Sequence, residues 1–276
     1  MHLIVQGLDV ATPDLKEIAK LARASAIERI GDEAFRLRDA RRAEAIAPYC
    51  EAARLDHAFV PDAARLDDFG LVVMDMDSTL ITIECIDEIA DVAGLKPEVA
   101  PITAAAMRGD VDFAQSLTQR VALLAGIGAD ALDRVYVERL KLTPGAEKML
   151  QVMRGRGMRT LLVSGGFTFF TDRLRARLAL DYARGNVLDI EGDTIMGRIL
   201  GEIVDADGKA RALREVRDEL GLEQRQVLAI GDGANDLYFM AEAGVSIAFH
   251  AKPLVKARAT YALDFVGLDG VLNLFL

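Results

Sequence analysis

Four short, unbroken apolar runs constrain this chain more than anything else in it: LVVMD (71–75), TLLVSGG (160–166), VLAIGDG (227–233) and VSIAF (245–249). A strand that alternates apolar and polar side chains keeps one face wet. A strand apolar throughout needs cover on both faces, which a parallel sheet between two helical layers provides. Stretches of helical period alternate with these runs, at Ala146 to Met153, Phe169 to Leu180, Lys209 to Leu220 and Asp236 to Ala243. That alternation predicts an α/β fold with a doubly wound parallel sheet. Tyr238 and Phe239 read as the core face of the last helix. The stretch from about 85 to 143 carries no strand signal and reads as an inserted helical module.

Ahead of the first run the pattern differs. LIVQG (3–7) reads as a strand, Asp14 to Ile30 and Ala40 to Leu55 as helices, and the polar stretch with Pro61, Asp67 and Asp68 as a linker. The expected organisation is a small α+β extension over 1–66, a core over 67–84 and 144–276, and a helical cap over 85–143. Acidic residues outnumber Lys and Arg by 43 to 33, for a formal charge of −10, which argues against nucleic acid and anionic membrane as partners. The two cysteines, Cys50 and Cys85, are far apart and give neither a disulfide framework nor a thiolate metal site. No apolar run approaches the roughly 18 residues of a membrane span, and the first residues carry no export signal. A cytoplasmic location is the expectation.

In open parallel sheets ligands bind outside the carboxyl ends of the strands. Asp75 and Asp77 follow the first run, Ser164, Gly165 and Gly166 close the second, and Asp232, Asn235 and Asp236 follow the third. Carboxylates about 4 Å apart repel by roughly 4 kcal/mol at an effective dielectric of 20, so such a gathering implies a cation. Oxygen donors without nearby His or Cys favour a hard ion, and few carboxylates plus waters and a phosphate suit Mg2+. Asp75, Asp232 and the Asp77 carbonyl would suffice as protein ligands. Ser164 and the two glycines directly precede a helical stretch, whose free N–H groups favour an anion. Lys209, opening the next helix after a polar turn, adds a positive charge for a phosphate. Each feature alone is as well explained by a turn, a helix cap or a solvated lysine; their joint placement is what points to a site.

In their order, D-x-D-S-T, S-G-G, a downstream Lys and G-D-G-x-N-D resemble the motif set of the haloacid dehalogenase superfamily of phosphatases. DMDSTLITIECIDEIA (75–90), AMRGDVDFAQSLTQRV (106–121), SGGFTFF (164–170), IVDADGKA (203–210) and GDGANDL (231–237) resemble its phosphoserine-hydrolysing branch, over essentially 70–276. The resemblance implies a Rossmann-like core with a helical cap, Mg2+ as cofactor and a small-molecule substrate. It also implies hydrolysis of O-phosphoserine through an aspartyl phosphate, the last step of serine biosynthesis. Carried over, Asp75 is the nucleophile and Asp77 the acid and base. Asp232 ligates Mg2+, Asp236 supports the metal or its waters, and Ser164, Gly165, Gly166, Lys209 and Asn235 hold phosphate.

Substrate identity then rests on the helical module. Glu84 stands at the start of a stretch whose Ile86, Ile89, Ala90 and Ala93 share an apolar face, where an acid also suits a first helical turn. Phe113, Leu117, Arg120 and Val121 share another face, which Arg120 interrupts; a snorkelling arginine is the plain explanation. The family reading gives Glu84 the substrate ammonium and Arg120 its carboxylate, with Met107 and Phe113 closing over the ligand. Competing readings are a related phosphatase or phosphotransferase acting on another small phosphorylated metabolite, and a non-catalytic regulator. Residues 1–65 are open to a sensing, dimerising or structural role, and a homodimer is left open.

Overall fold

The computed structural model of the chain describes residues 1–108 and 110–275, without the side chains of Met107 and Arg108. The place expected for Met107 beside the substrate therefore lies outside the described residues. Two sheets organise the chain. One has four strands in the order β2-β3-β1-β4, with β1 His2–Gln6, β2 Ala26–Gly31, β3 Ala34–Arg38 and β4 Asp56–Val60. The other has seven, in the order β11-β10-β9-β5-β6-β7-β8, with β5 Leu71–Met74, β6 Arg159–Phe167, β7 Tyr182–Glu191, β8 Thr194–Leu200, β9 Val227–Gly231, β10 Val245–Phe249 and β11 Tyr261–Leu263. The β6–β7, β9–β10 and β10–β11 pairs are parallel and β7–β8 is antiparallel, so the α/β class with a mostly parallel sheet holds. All residues of β5 and β9 are buried, as their unbroken apolar sequences require.

The amino-terminal sheet is antiparallel throughout. Helices Thr12–Leu21 and Ile46–Ala52 supply Leu15, Ile18, Ile46 and Cys50 to a core with Leu3, Val5 and Leu37. Both helices are shorter than expected. The first stops before Arg23, which takes a left-handed φ of 50°, and Ala26–Gly31, expected as its continuation, is β2. Of 40–55 only Ile46–Ala52 is α-helical, and part of the expected linker forms a 3-10 turn at Leu66–Asp68.

Contacts divide the chain into two compact units. The first holds residues 1–72, 143–159 and those from 222 onward. Inside it, the buried Asp56 carboxylate of β4 accepts backbone N–H bonds from Asp264, Phe265 and Val266 at 2.6, 3.0 and 3.1 Å. The amino-terminal sheet is thus tied to the segment after β11. The second unit holds Val73–Leu142 and Thr160–Gly221. It contains the helices Cys85–Val92, Lys96–Arg108, Phe113–Ala122 and Asp130–Arg134, together with the β7–β8 hairpin, which no sequence signal announced. Gly126 donates to the Ile195 carbonyl, Ala129 to that of Asp193, and Ile195 to that of Ile127, stitching the end of the helical module to the hairpin.

Candidate active site

Asp75 leaves β5 in an extended conformation and a tight five-residue turn, Met76–Leu80, follows. Within it Asp77 is extended and Ser78 left-handed at φ 57°, a conformation that a β-carbon makes costly. Asp75 Oδ1 accepts from the Lys209 ammonium at 2.6 Å, and both residues are buried. Lys209 does not open its helix; it is the fourth residue of Ala206–Glu219. Asp205 caps that helix, its Oδ1 accepting the Gly208 N–H at 2.9 Å and its carbonyl the Lys209 N–H at 2.9 Å.

Asp77 Oδ1 accepts the Cys85 N–H at 3.1 Å. Burial, and secondarily the charge of Glu84, push the Asp77 carboxyl up to about 7. Burial and Asp77 also push the Cys85 thiol well up. Glu84 occupies the position before the Cys85–Val92 helix rather than its first turn, and its Oε1 accepts from Ser78 Oγ at 2.8 Å. Ile86, Ile89 and Ala90 are buried on the expected face, whereas Ala93 is half-buried.

The S-G-G segment belongs to β6 and not to the turn opening a helix; β6 runs to Phe167 and the next helix starts at Thr168. Ser164 Oγ accepts the Gly166 N–H at 2.8 Å. A β-carbon on Gly166 would stand 2.9 Å from Asp77 Oδ2 and 3.0 Å from both Met76 Cε and Ser164 Oγ. One on Gly165 would stand 2.5 Å from Phe113 Cζ. Glycine is thus what lets this strand end approach Asp77 and the Phe113 ring.

Phe113 begins a helix capped by Asp112, whose Oδ1 accepts the Gln115 N–H at 2.8 Å. Arg120, two turns on, donates from Nε to the Ser116 carbonyl at 3.4 Å. Burial lowers its guanidinium while Asp87, Glu84 and Asp77 support its charge, in that order. A guanidinium stays cationic under such a shift.

Asp75 in the second unit, and Asp232 and Asp236 in the first, each offer a carboxylate oxygen of the kind a metal ion takes. Asp236 is fully buried, its Oδ2 accepting the N–H groups of Asp232 and Gly233 at 3.1 and 2.9 Å. The Asp77 carboxylate is not part of this group. An all-oxygen donor set of this charge fits a hard divalent cation, Mg2+ among them. Asn235 is half-buried and its Oδ1 folds back on Gly233. Tyr238, expected in the core, is 55% exposed, and Phe239 fills that role.

Sequence reasoning passed over Ser78 as a partner of Glu84, and Asn186. Asn186 is fully buried and bonds the Gly165 carbonyl through Nδ2 at 2.8 Å. No local motif marks it; only the pairing of β6 with β7 brings it there.

A family model described as haloacid dehalogenase-like hydrolase matches residues 72–241, and one for a domain of unknown function matches residues 3–46. A phosphoserine phosphatase of a Polaromonas species is 52% identical over 215 residues, covering 76% of this chain and 91% of that protein. The crystal structure of a probable phosphoserine phosphatase from Vibrio cholerae, unliganded, superposes with a TM-score of 0.87 at 37% identity, covering 99% of this chain and 86% of that one. A phosphoserine phosphatase solved with substrate bound gives a TM-score of 0.71 at 35% identity, covering 75% and 99%.

Proposed function

The chain belongs to the haloacid dehalogenase-like hydrolases, and from that membership we propose that it is a Mg2+-dependent phosphatase of O-phosphoserine. The observation that carries the reading is the buried Asp75–Lys209 pair, in a chain that also holds Glu84 and Arg120. A phosphate, an ammonium and a carboxylate then each have a partner of opposite charge.

In the first step an Asp75 oxygen attacks phosphorus while the bond from phosphorus to the serine oxygen breaks. Asp77, protonated by virtue of its raised pKa, gives that oxygen its proton. In the second step Asp77, now ionised, takes a proton from a water that attacks phosphorus, and the bond to Asp75 breaks to release phosphate. Lys209, Ser164, Gly165, Gly166 and Asn235 hold the phosphate oxygens. Alignment and charge compensation of this kind account for most of phosphoryl-transfer catalysis. Asp75, Asp232 and Asp236, with the Asp77 carbonyl, would hold the divalent cation, which supplies compensation for the charge of carboxylates and phosphate.

Residues 85–143 act as the cap. Glu84 receives the substrate ammonium and Arg120 its carboxylate, as a planar two-pronged donor does. Closure of Phe113 over Gly165 excludes water from the phosphorylated enzyme. Release of serine as product would suit the last step of serine biosynthesis.

Acid quenching after a brief incubation with 32P-labelled phosphoserine tests the reading. Wild type retains acid-stable label that hydroxylamine removes, and Asp75→Asn retains none. Label in Asp75→Asn would remove Asp75 as nucleophile.

A further inference from the structure

Strands β6 and β7 pair in parallel from Leu161 opposite Tyr182 to Val163 opposite Arg184, and resume with Phe167 opposite Asn186. Between those points β6 advances four residues and β7 only two, so the ladder opens over Ser164, Gly165 and Gly166. A bulge exposes backbone groups that the ladder would otherwise satisfy, and an enclosed carbonyl left without a donor is destabilising. The Asn186 side chain closes the gap. Its Nδ2 donates to the Gly165 carbonyl at 2.8 Å, and its Oδ1 accepts the Val204 N–H at 2.8 Å. The two bonds together fix which end of the amide is which. Neighbouring Gly185 fits equally closely, since a β-carbon there would stand 3.2 Å from the Gly166 carbonyl and 3.3 Å from the Thr168 nitrogen.

Val204 directly precedes Asp205, the cap of the helix that carries Lys209. One buried amide therefore ties the segment presenting Ser164, Gly165 and Gly166 to the start of the helix presenting Lys209. We propose that Asn186 is a positioning residue for phosphoryl transfer, setting the bulged S-G-G segment and the Lys209 helix in register through its two bonds, to the Gly165 carbonyl and the Val204 N–H. It touches neither substrate nor metal and acts through the groups that do. The proposal rests on the phosphate site described above.

The test is a mutant cycle read by inorganic phosphate inhibition and by kcat. Asn186→Ala weakens phosphate inhibition and lowers kcat roughly tenfold or more, with a smaller change in KM, because the ammonium and carboxylate partners are untouched. Asn186→Asp has the same shape and keeps the acceptor for Val204 but lacks the donor for Gly165; it shows the same loss, and it carries the test should the alanine variant fail to fold. In a Lys209→Ala background, Asn186→Ala adds less than threefold, since the register it maintains no longer has a lysine to place. Equal losses in both backgrounds, or folded Asn186 variants with unchanged kcat and phosphate inhibition, overturn the positioning role while leaving the phosphatase reading standing. A wild-type protein that neither binds phosphate nor turns over phosphoserine overturns both.

Discussion

The Lys209 ammonium lies 2.6 Å from Asp75 Oδ1, with 1% and 9% of the two side chains exposed. Enclosed so, each charge depends on compensation by the other, and breaking such a pair from one side typically costs about 3 kcal/mol or more. Lys209→Met is therefore expected to lower the unfolding free energy by about 3 kcal/mol in EDTA. It should also reduce kcat/KM by roughly 10²-fold or more, since a preorganised cation facing the transferring phosphoryl is lost. Urea denaturation and steady-state kinetics read the two effects; an unchanged urea midpoint would contradict the buried pair.

Gly166 leaves no room beside Asp77. Gly166→Ala places a methyl 2.9 Å from Asp77 Oδ2, so the carboxylate must shift. A displacement near 1 Å is enough to cost about 10² in rate. The expected variant is folded, by circular dichroism, with kcat reduced by about that factor and KM little changed.

Arg120→Ala separates substrate recognition from phosphoryl chemistry. Loss of an enclosed charge-assisted contact costs about 3 kcal/mol, or roughly 10²-fold, on phosphoserine. An aryl phosphate offers the guanidinium no carboxylate, and its kcat/KM should change less than about threefold. Comparable losses on both would show that Arg120 supports the fold or the phosphate and not a carboxylate.

Asp77 carries the pH dependence. With its carboxyl pushed up to about 7 by burial and by Glu84, it is protonated below that pH and able to donate to the leaving oxygen. The expected kcat/KM falls on the alkaline side as Asp77 loses its proton, a limb that Asp77→Asn abolishes along with most of the activity. The stability consequence has the same direction. The native state holds this proton more tightly than the unfolded chain does, so in EDTA stability declines as pH rises from about 4 towards 7. Thermal melts of wild type and Asp77→Asn across that range give the comparison, and parallel curves would contradict the raised pKa.

The parts of this protein that were legible in its sequence are those where one local pattern has one physical outcome. LVVM and VLAIG could only be buried strands, and the acids and glycines closing the runs mark the sheet edge where Asp75 and Asp232 stand. The β7–β8 hairpin escaped because it is only partly covered; Val187 is 44% exposed while Leu188 is 7% exposed, and neither a continuous nor a clean alternating apolar pattern results. Ala26–Gly31 passed for helix because its spacing of Ile27 and Ile30 continued that of Asp14 to Ala22, while the left-handed turn at Arg23 carries no glycine to announce it. Tyr238 and Phe239 are adjacent, and only the rotation of a short helix decides which is covered. Asn186 was invisible for another reason, since its role arises from a two-residue register shift between strands, a property of pairing and not of any one segment.

Phosphate release from L-phosphoserine, phosphothreonine and an aryl phosphate, each with Mg2+ and with EDTA, tests the central claim most directly. The expected result is Mg2+-dependent turnover with phosphoserine strongly preferred and no release in EDTA. Mg2+-dependent turnover without that preference would contradict the roles given to Glu84 and Arg120, and absence of turnover on all three would contradict the phosphatase itself.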